Sequence, residues 1–158
     1  MANKINRTVV RNTAYRRGEF NLRERHNERK NESYMNGDID PARADMNIHF
    51  KQAISPTGEP ETYAQAFNRL LEEGKIVMRG LKQDAKVFDE LVFDVNTAYF
   101  ENNGGYEYAK SFFEEAYRLA VKEVGGEDYI LSAILHADEK NKALSDELGR
   151  DIYHFHLH

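Results

Sequence analysis

Tyr153-His154-Phe155-His156-Leu157-His158 alternates an imidazole with an apolar or aromatic side chain at every step. In an extended strand, successive side chains point to opposite faces. His154, His156 and His158 therefore share one face, and Tyr153, Phe155 and Leu157 the other. One buried histidine is readily satisfied by a hydrogen bond. Three on one face, buried without partners, would cost too much free energy for a purely structural role. Imidazole is the commonest side-chain ligand of divalent transition metals. Ile152–His158 thus reads as a final strand and its histidines as part of a metal site.

Working outward, Tyr129–His136 forms a second buried strand ending in another histidine. Residues two apart on a strand lie roughly 6.5–7 Å apart at Cα, so His154 and His156 can converge on one ion. His136 is the natural third ligand, and His158 lies too far from His154 to join them. Asp138 and Glu139 follow His136 and offer a carboxylate, directly or by orienting a ligand. Three histidines with open positions make a catalytic rather than a closed structural site. Between the two strands, Lys140–Gly149 carries Leu144 and Leu148 four apart, a short helical insertion.

Upstream, Ile5–Val10, Met46–Phe50 and Lys86–Val95 read as strands. Tyr63, Phe67, Leu70 and Leu71 form one apolar face of a helix, and Tyr108, Phe112, Ala116, Leu119 and Ala120 that of another, ending before Gly125-Gly126. Turns are marked by Asn36-Gly37-Asp38, Ser55-Pro56-Thr57-Gly58 and Asn102-Asn103-Gly104-Gly105. This order predicts an α+β fold, an antiparallel β-sheet flanked by helices.

With 158 residues the chain suits a single domain. It has no cysteine, which excludes disulfides, a thiolate nucleophile and a zinc–thiolate site. No apolar run approaches the roughly 20 residues of a membrane span, and the N-terminus lacks the apolar stretch of a secretory signal; a cytoplasmic protein is expected. The net charge is -5, from 22 basic and 27 acidic side chains. It is unevenly spread: residues 1–30 hold nine basic and three acidic groups, leaving 13 and 24 for the other 128. A basic segment on an acidic body suggests a polyanion-facing surface.

Several segments, in order, resemble one family. These are His26-Asn27-Glu28-Arg29, then Gly37-Asp38-Ile39-Asp40-Pro41-Ala42-Arg43 with Asn47, then His136-Ala137-Asp138-Glu139 and His154-Phe155-His156. Together they resemble the Mob/Pre plasmid mobilisation and recombination proteins, the MobV-type relaxases, within the HUH endonuclease group. There, two histidines flank one hydrophobic residue. The resemblance covers most of the chain and departs from the family pattern in two places. Lys140–Tyr153 separate the acidic element from the histidine pair, and Tyr153 stands where the family has proline. Such an insertion leaves the site intact if strand register is kept. Family members also continue well past this point, so the resemblance implies that 1–158 is the N-terminal relaxase domain of a longer protein. A dimer through the missing region is one option it leaves open.

By resemblance, the activity is metal-dependent, strand-specific nicking and rejoining of plasmid origin-of-transfer DNA, single-stranded at the site. A divalent ion, Mn or Mg, is held by His136, His154 and His156. His26 is the implied nucleophile, with Tyr34 and then Tyr15 as runners-up, and Glu139 belongs to the catalytic set. Arg23, Arg25, Asn27, Arg29 and Lys30 surround His26 as DNA-binding candidates, and Arg43 is a further one. Two alternatives remain at this point: a non-catalytic DNA-binding module, and a metal-dependent hydrolase of a small substrate.

Overall fold

A computed structural model describes residues 7–31, 33, 34 and 37–158. Ile5 and Asn6 of the first expected strand and Asn36 of the first expected turn lie outside them. Five strands form one antiparallel sheet: β1 (Thr8–Arg16), β2 (Ile48–Lys51), β3 (Lys86–Val95), β4 (Ala133–Lys140) and β5 (Tyr153–Leu157). Their spatial order is β1-β3-β5-β4-β2. The histidine strand β5 is therefore central, as its buried apolar face requires. Among the described residues, five α-helices and three short 3-10 helices complete the fold; the α-helices are α1 (Phe20–Asn27), α2 (Tyr63–Glu72), α3 (Thr97–Asn102), α4 (Gly105–Val124) and α5 (Lys142–Leu148).

Alternation in the central strands sorts side chains between two layers. Leu135, Ala137, Phe155 and Leu157 pack with Phe100 of α3 and with Ala109 and Phe113 of α4 into the main core. The opposite face carries the histidines beneath α1. Beside them, Phe20 of α1 stacks on Phe88 of β3, ring centres 4.0 Å apart, in a smaller cluster with Tyr63 and Phe67 of α2.

Local signals set the helix limits. Thr62 and Gln65 cap α2 reciprocally, the Thr62 hydroxyl accepting from the Gln65 backbone N–H and the Gln65 side-chain amide oxygen from the Thr62 backbone N–H. Gly125, with φ 90°, ends α4 in the left-handed conformation glycine tolerates best. The buried face of α4 differs from the predicted stripe. Tyr108 is 39% and Leu119 59% exposed, while Ala109 and Phe113 are fully buried. Two apolar stripes lie side by side on this helix, and the small Ala109 permits the closer approach to the sheet. The strand predicted over Tyr129–His136 instead runs Ala133–Lys140, placing His136, Asp138 and Glu139 inside the ladder rather than beyond its end.

Candidate functional site

The register between β4 and β5 builds the site. His136 pairs with His156, and Glu139 with His154, so β4 advances three residues while β5 advances two. The extra residue is a β-bulge. Strict alternation would place His136 and Glu139 on opposite faces, and the bulge returns both to the histidine face. The backbone groups it frees find partners. Asn47 accepts the Ala137 N–H at 2.7 Å, and the Asp138 carbonyl accepts the Asp40 N–H at 2.8 Å. The insertion with α5 keeps this register, because Asn141 N–H donates to Ile152 O at 2.8 Å on its near side.

One ring nitrogen from each of His136, His156 and His158 lies within 4.8 Å of the others. This trio could hold a metal ion. His136 Nε2 bonds to the Asn27 carbonyl at 2.8 Å, which leaves Nδ1 facing His156 Nε2 at 3.3 Å. His158 Nδ1 bonds to Glu90 Oε1 at 3.2 Å, leaving its Nε2 available. Burial holds His136 and His156 well below the ordinary histidine pKa, with His158 nearby acting in the same direction. Both are therefore neutral, the form that binds metal.

His154 is not brought into this trio. Its Nε2 faces Asp94 at 3.0 Å and its Nδ1 meets the Thr97 hydroxyl at 2.9 Å. The structure thus gathers His156 and His158 with His136, whereas the expected His154 stands apart from them. Considered along β5 alone, His158 looked remote. Across the ladder, however, His136 sits opposite the middle histidine, where either neighbour can join it, and Asp94 engages His154.

His26, near the end of α1, completes the arrangement. Its ring centre lies 5.6 Å from that of His158 and 6.3 Å from that of His136. Burial, with His158, Arg23 and Arg29 adding to it, lowers its pKa to about 4. The imidazole is neutral at physiological pH and keeps a nucleophilic lone pair. Tyr34 is placed differently: its hydroxyl takes the Asn31 N–H at 3.3 Å and its ring lies under the Arg29 guanidinium. Among the described residues no hydrogen bond or ring contact joins Tyr34 to a histidine. Tyr15 stacks on Phe88 and bonds to Glu90.

The basic residues expected to meet phosphate are largely committed to carboxylates or carbonyls. Arg23 bonds to Glu90 at 2.6 Å and Lys30 to Glu24 at 2.6 Å. Arg29, in the left-handed region with φ 53°, forms a fork to Asp138 at 2.7 and 2.9 Å and reaches Glu139 at 2.9 Å. Burial would lower the Arg29 pKa, but Asp138 and Glu139 outweigh it and raise it. Arg43 stacks at 3.7 Å over the Tyr153 ring and bonds to Ala137 O. Tyr153 lies on the α4 side of the sheet, so Arg43 is not at the histidine face. Asn27 bonds to Glu90 and, through its carbonyl, to His136. Arg25 is exposed beside His26. Glu139 Oε1 lies 3.6 Å from His156 Nε2.

Three contributors escaped the sequence reading: His158 as a member of the trio, Asp138 as the buried anchor of Arg29, and Glu90. Burial would raise the Glu90 pKa, yet bonds from His158, Arg23 and Asn27 overcome it and hold the carboxylate near 2. The available signal was a charged residue between Phe88 and Val92, on the strand face that also carries Asp94.

Residues 4–158 match the Mob/Pre family, described as plasmid recombination enzyme. A plasmid recombination enzyme from a Bacillus species is 33% identical over 115 residues, 73% of this chain and 26% of that protein. One from Streptococcus agalactiae is 29% identical over 115 residues, 73% of this chain and 22% of that protein. The matched stretch thus spans about a quarter of the length of these curated relatives. Among solved structures, the MobM relaxase domain, Mn-bound and in complex with plasmid oriT DNA, superimposes with a TM-score of 0.70 at 26% identity, covering 95% of this chain and 68% of that one. With the family matched from near the first residue to the last, and the five-stranded fold shared with a solved member, this chain belongs to the Mob/Pre plasmid recombination enzyme family.

Proposed function

We propose that the chain is a plasmid-mobilisation relaxase. It nicks one strand of plasmid DNA at a transfer origin and rejoins it, acting in the cytoplasm where that DNA resides. The observation that carries this reading is the neutral His26 ring next to two rings of a three-histidine cluster. A nucleophile and a metal-binding set thus face the same small volume.

The donor set fits a divalent ion, the transition metal Mn better than the oxygen-preferring Mg, with His136 Nδ1, His156 Nε2 and His158 Nε2 as ligands and Glu139 adjacent. When bound, the ion supplies Lewis-acid polarisation of the scissile phosphate. His26 nitrogen forms a bond to phosphorus as the bond to the 3′-oxygen breaks. That oxygen leaves as a hydroxyl with a proton from solvent, and the imidazole sheds its own proton to solvent. The product is a 5′-phosphoramidate, whose reversal rejoins the strand. Asp138 and Glu139 keep Arg29 in place at the end of the helix that carries His26. The MobM domain is Mn-bound in crystals at pH 4.6 as well as at pH 6.8.

The test uses 3′-labelled single-stranded oligonucleotides tiling a candidate origin, with and without Mn. The wild type forms a covalent adduct only with Mn. His26→Ala lowers it below detection, and Tyr34→Phe retains it. Loss in Tyr34→Phe alone would transfer the role to Tyr34. DNA binding with no adduct in any protein would make this a binding module. Turnover of a small phosphodiester with no DNA binding would favour the hydrolase.

A further inference from the structure

Glu90 lies on β3, and neither the metal ligands nor the nucleophile are on that strand. It is nevertheless where the two meet. Its Oε1 accepts from His158 Nδ1 at 3.2 Å and from the Asn27 amide at 2.9 Å. Its Oε2 takes the Arg23 guanidinium at 2.6 Å and the Tyr15 hydroxyl at 3.4 Å. The Glu90 and His158 side chains are only 9% and 6% exposed. Asn27 also ties back to the cluster, since its carbonyl accepts from His136 Nε2 at 2.8 Å. Helix α1 is therefore clasped to two of the three histidines, on one side through the Glu90 carboxylate and on the other through a backbone carbonyl.

We propose that Glu90 is a positioning residue with two linked tasks, a role that rests on the relaxase reading above. By accepting from His158 Nδ1 it fixes the tautomer that leaves Nε2 bare for the metal. By holding Asn27 and Arg23 it seats α1, and with it His26, against the same centre. An outer carboxylate that orients a ligating histidine commonly matters 10- to 100-fold in metal affinity. Here the same carboxylate also sets the distance between metal and nucleophile, so a single change moves both.

The experiment compares wild type, Glu90→Ala and Glu90→Asp, the last keeping the charge opposite Arg23 while withdrawing its reach toward His158. Three measurements are made: the His158 ring nitrogen shifts of metal-free protein by NMR, the affinity for Mn alone by electron paramagnetic resonance, and the rate of covalent DNA adduct formation at saturating Mn. Metal-free wild type shows His158 protonated at Nδ1, and both variants show a mixture of tautomers. Mn affinity falls roughly 10- to 100-fold in Glu90→Ala and by a smaller factor in Glu90→Asp. The adduct rate stays reduced even when Mn is saturating. If Glu90→Ala does not fold, Glu90→Asp decides the matter. Mn affinity within about twofold of wild type, or an unaltered His158 tautomer, overturns the first task. An unaltered adduct rate at saturating Mn overturns the second. A wild type that binds neither Mn nor DNA sinks the relaxase reading instead, and the metal-free tautomer still reports on Glu90.

Discussion

Among the described residues, Arg25 stands exposed beside His26 and enters no ion pair, while its neighbours Arg23, Arg29 and Lys30 are each held by carboxylates. A single-stranded DNA binder loses about 0.7 in the slope of log affinity against log salt for each phosphate contact removed. Arg25→Ala is therefore expected to weaken DNA binding and flatten that slope by about this amount. Arg23→Ala and Arg43→Ala leave the slope unaltered and lower the melting temperature. Fluorescence anisotropy titrations at several salt concentrations check this, and an unchanged slope in Arg25→Ala would count against it. The basic segment was legible as a surplus of charge, but its pairing was not. Arg23 meets Glu90 across 67 residues and Arg29 meets Asp138 across 109. A count along the chain cannot see partners so distant. Asp138, 1% exposed, would be a buried unpaired charge without Arg29. That need explains why a residue without glycine's freedom accepts a positive φ at position 29.

Elements were easiest to read where alternation or helical spacing is uninterrupted. The strand Lys86–Val95 coincides with β3, the α2 stripe of Tyr63, Phe67 and Leu70 is buried, and the insertion expected over Lys140–Gly149 contains α5. Elements that carry chemistry were displaced. Asp138, Glu139 and Lys140 look like a loop because they are polar, yet they belong to a strand whose polar face is the site. α3 passed unnoticed, being only six residues long and started by the Asn96 side chain accepting from Ala98 N–H. α5 is closed on itself: Ser145 Oγ donates to Asn141 O at 2.7 Å and accepts from Ile152 N–H at 2.9 Å. Ser145→Ala leaves that N–H buried and unmet, a cost of about 1–3 kcal/mol. The strand register does not depend on this bond alone. Urea denaturation should show the loss, with Mn affinity unchanged at 25 °C; a parallel drop in Mn affinity would tie α5 to the site.

For the molecule as a whole, the two faces of the sheet answer differently to pH. An unfolded histidine titrates near pH 6.5, whereas burial lowers His26 to about 4 and holds His136 and His156 well below the ordinary value. As pH falls below about 6.5, the unfolded chain takes up protons that the folded chain refuses, so the free energy of unfolding drops. Metal-free protein is expected to keep full stability above about pH 7 and to lose it progressively towards pH 4. Glu90, held near 2 instead of its usual 4.5, adds a further loss below that value. Urea titrations at a series of pH values test this, and an unfolding free energy that stays flat between pH 7 and pH 5 would contradict it. The apolar face over α4 has no such groups to titrate among its buried residues. Because of the bulge, the chain also has one elastic joint and one rigid one. Beyond Lys140 the connection can lengthen or shrink freely, since the ladder resumes once Tyr153 meets Lys140. Between His136 and Glu139 a single residue gained or lost would turn Glu139 and everything after it to the wrong side. When distant relatives are aligned, gaps therefore belong after Lys140, and an alignment that opens one inside His136–Glu139 has misplaced Glu139.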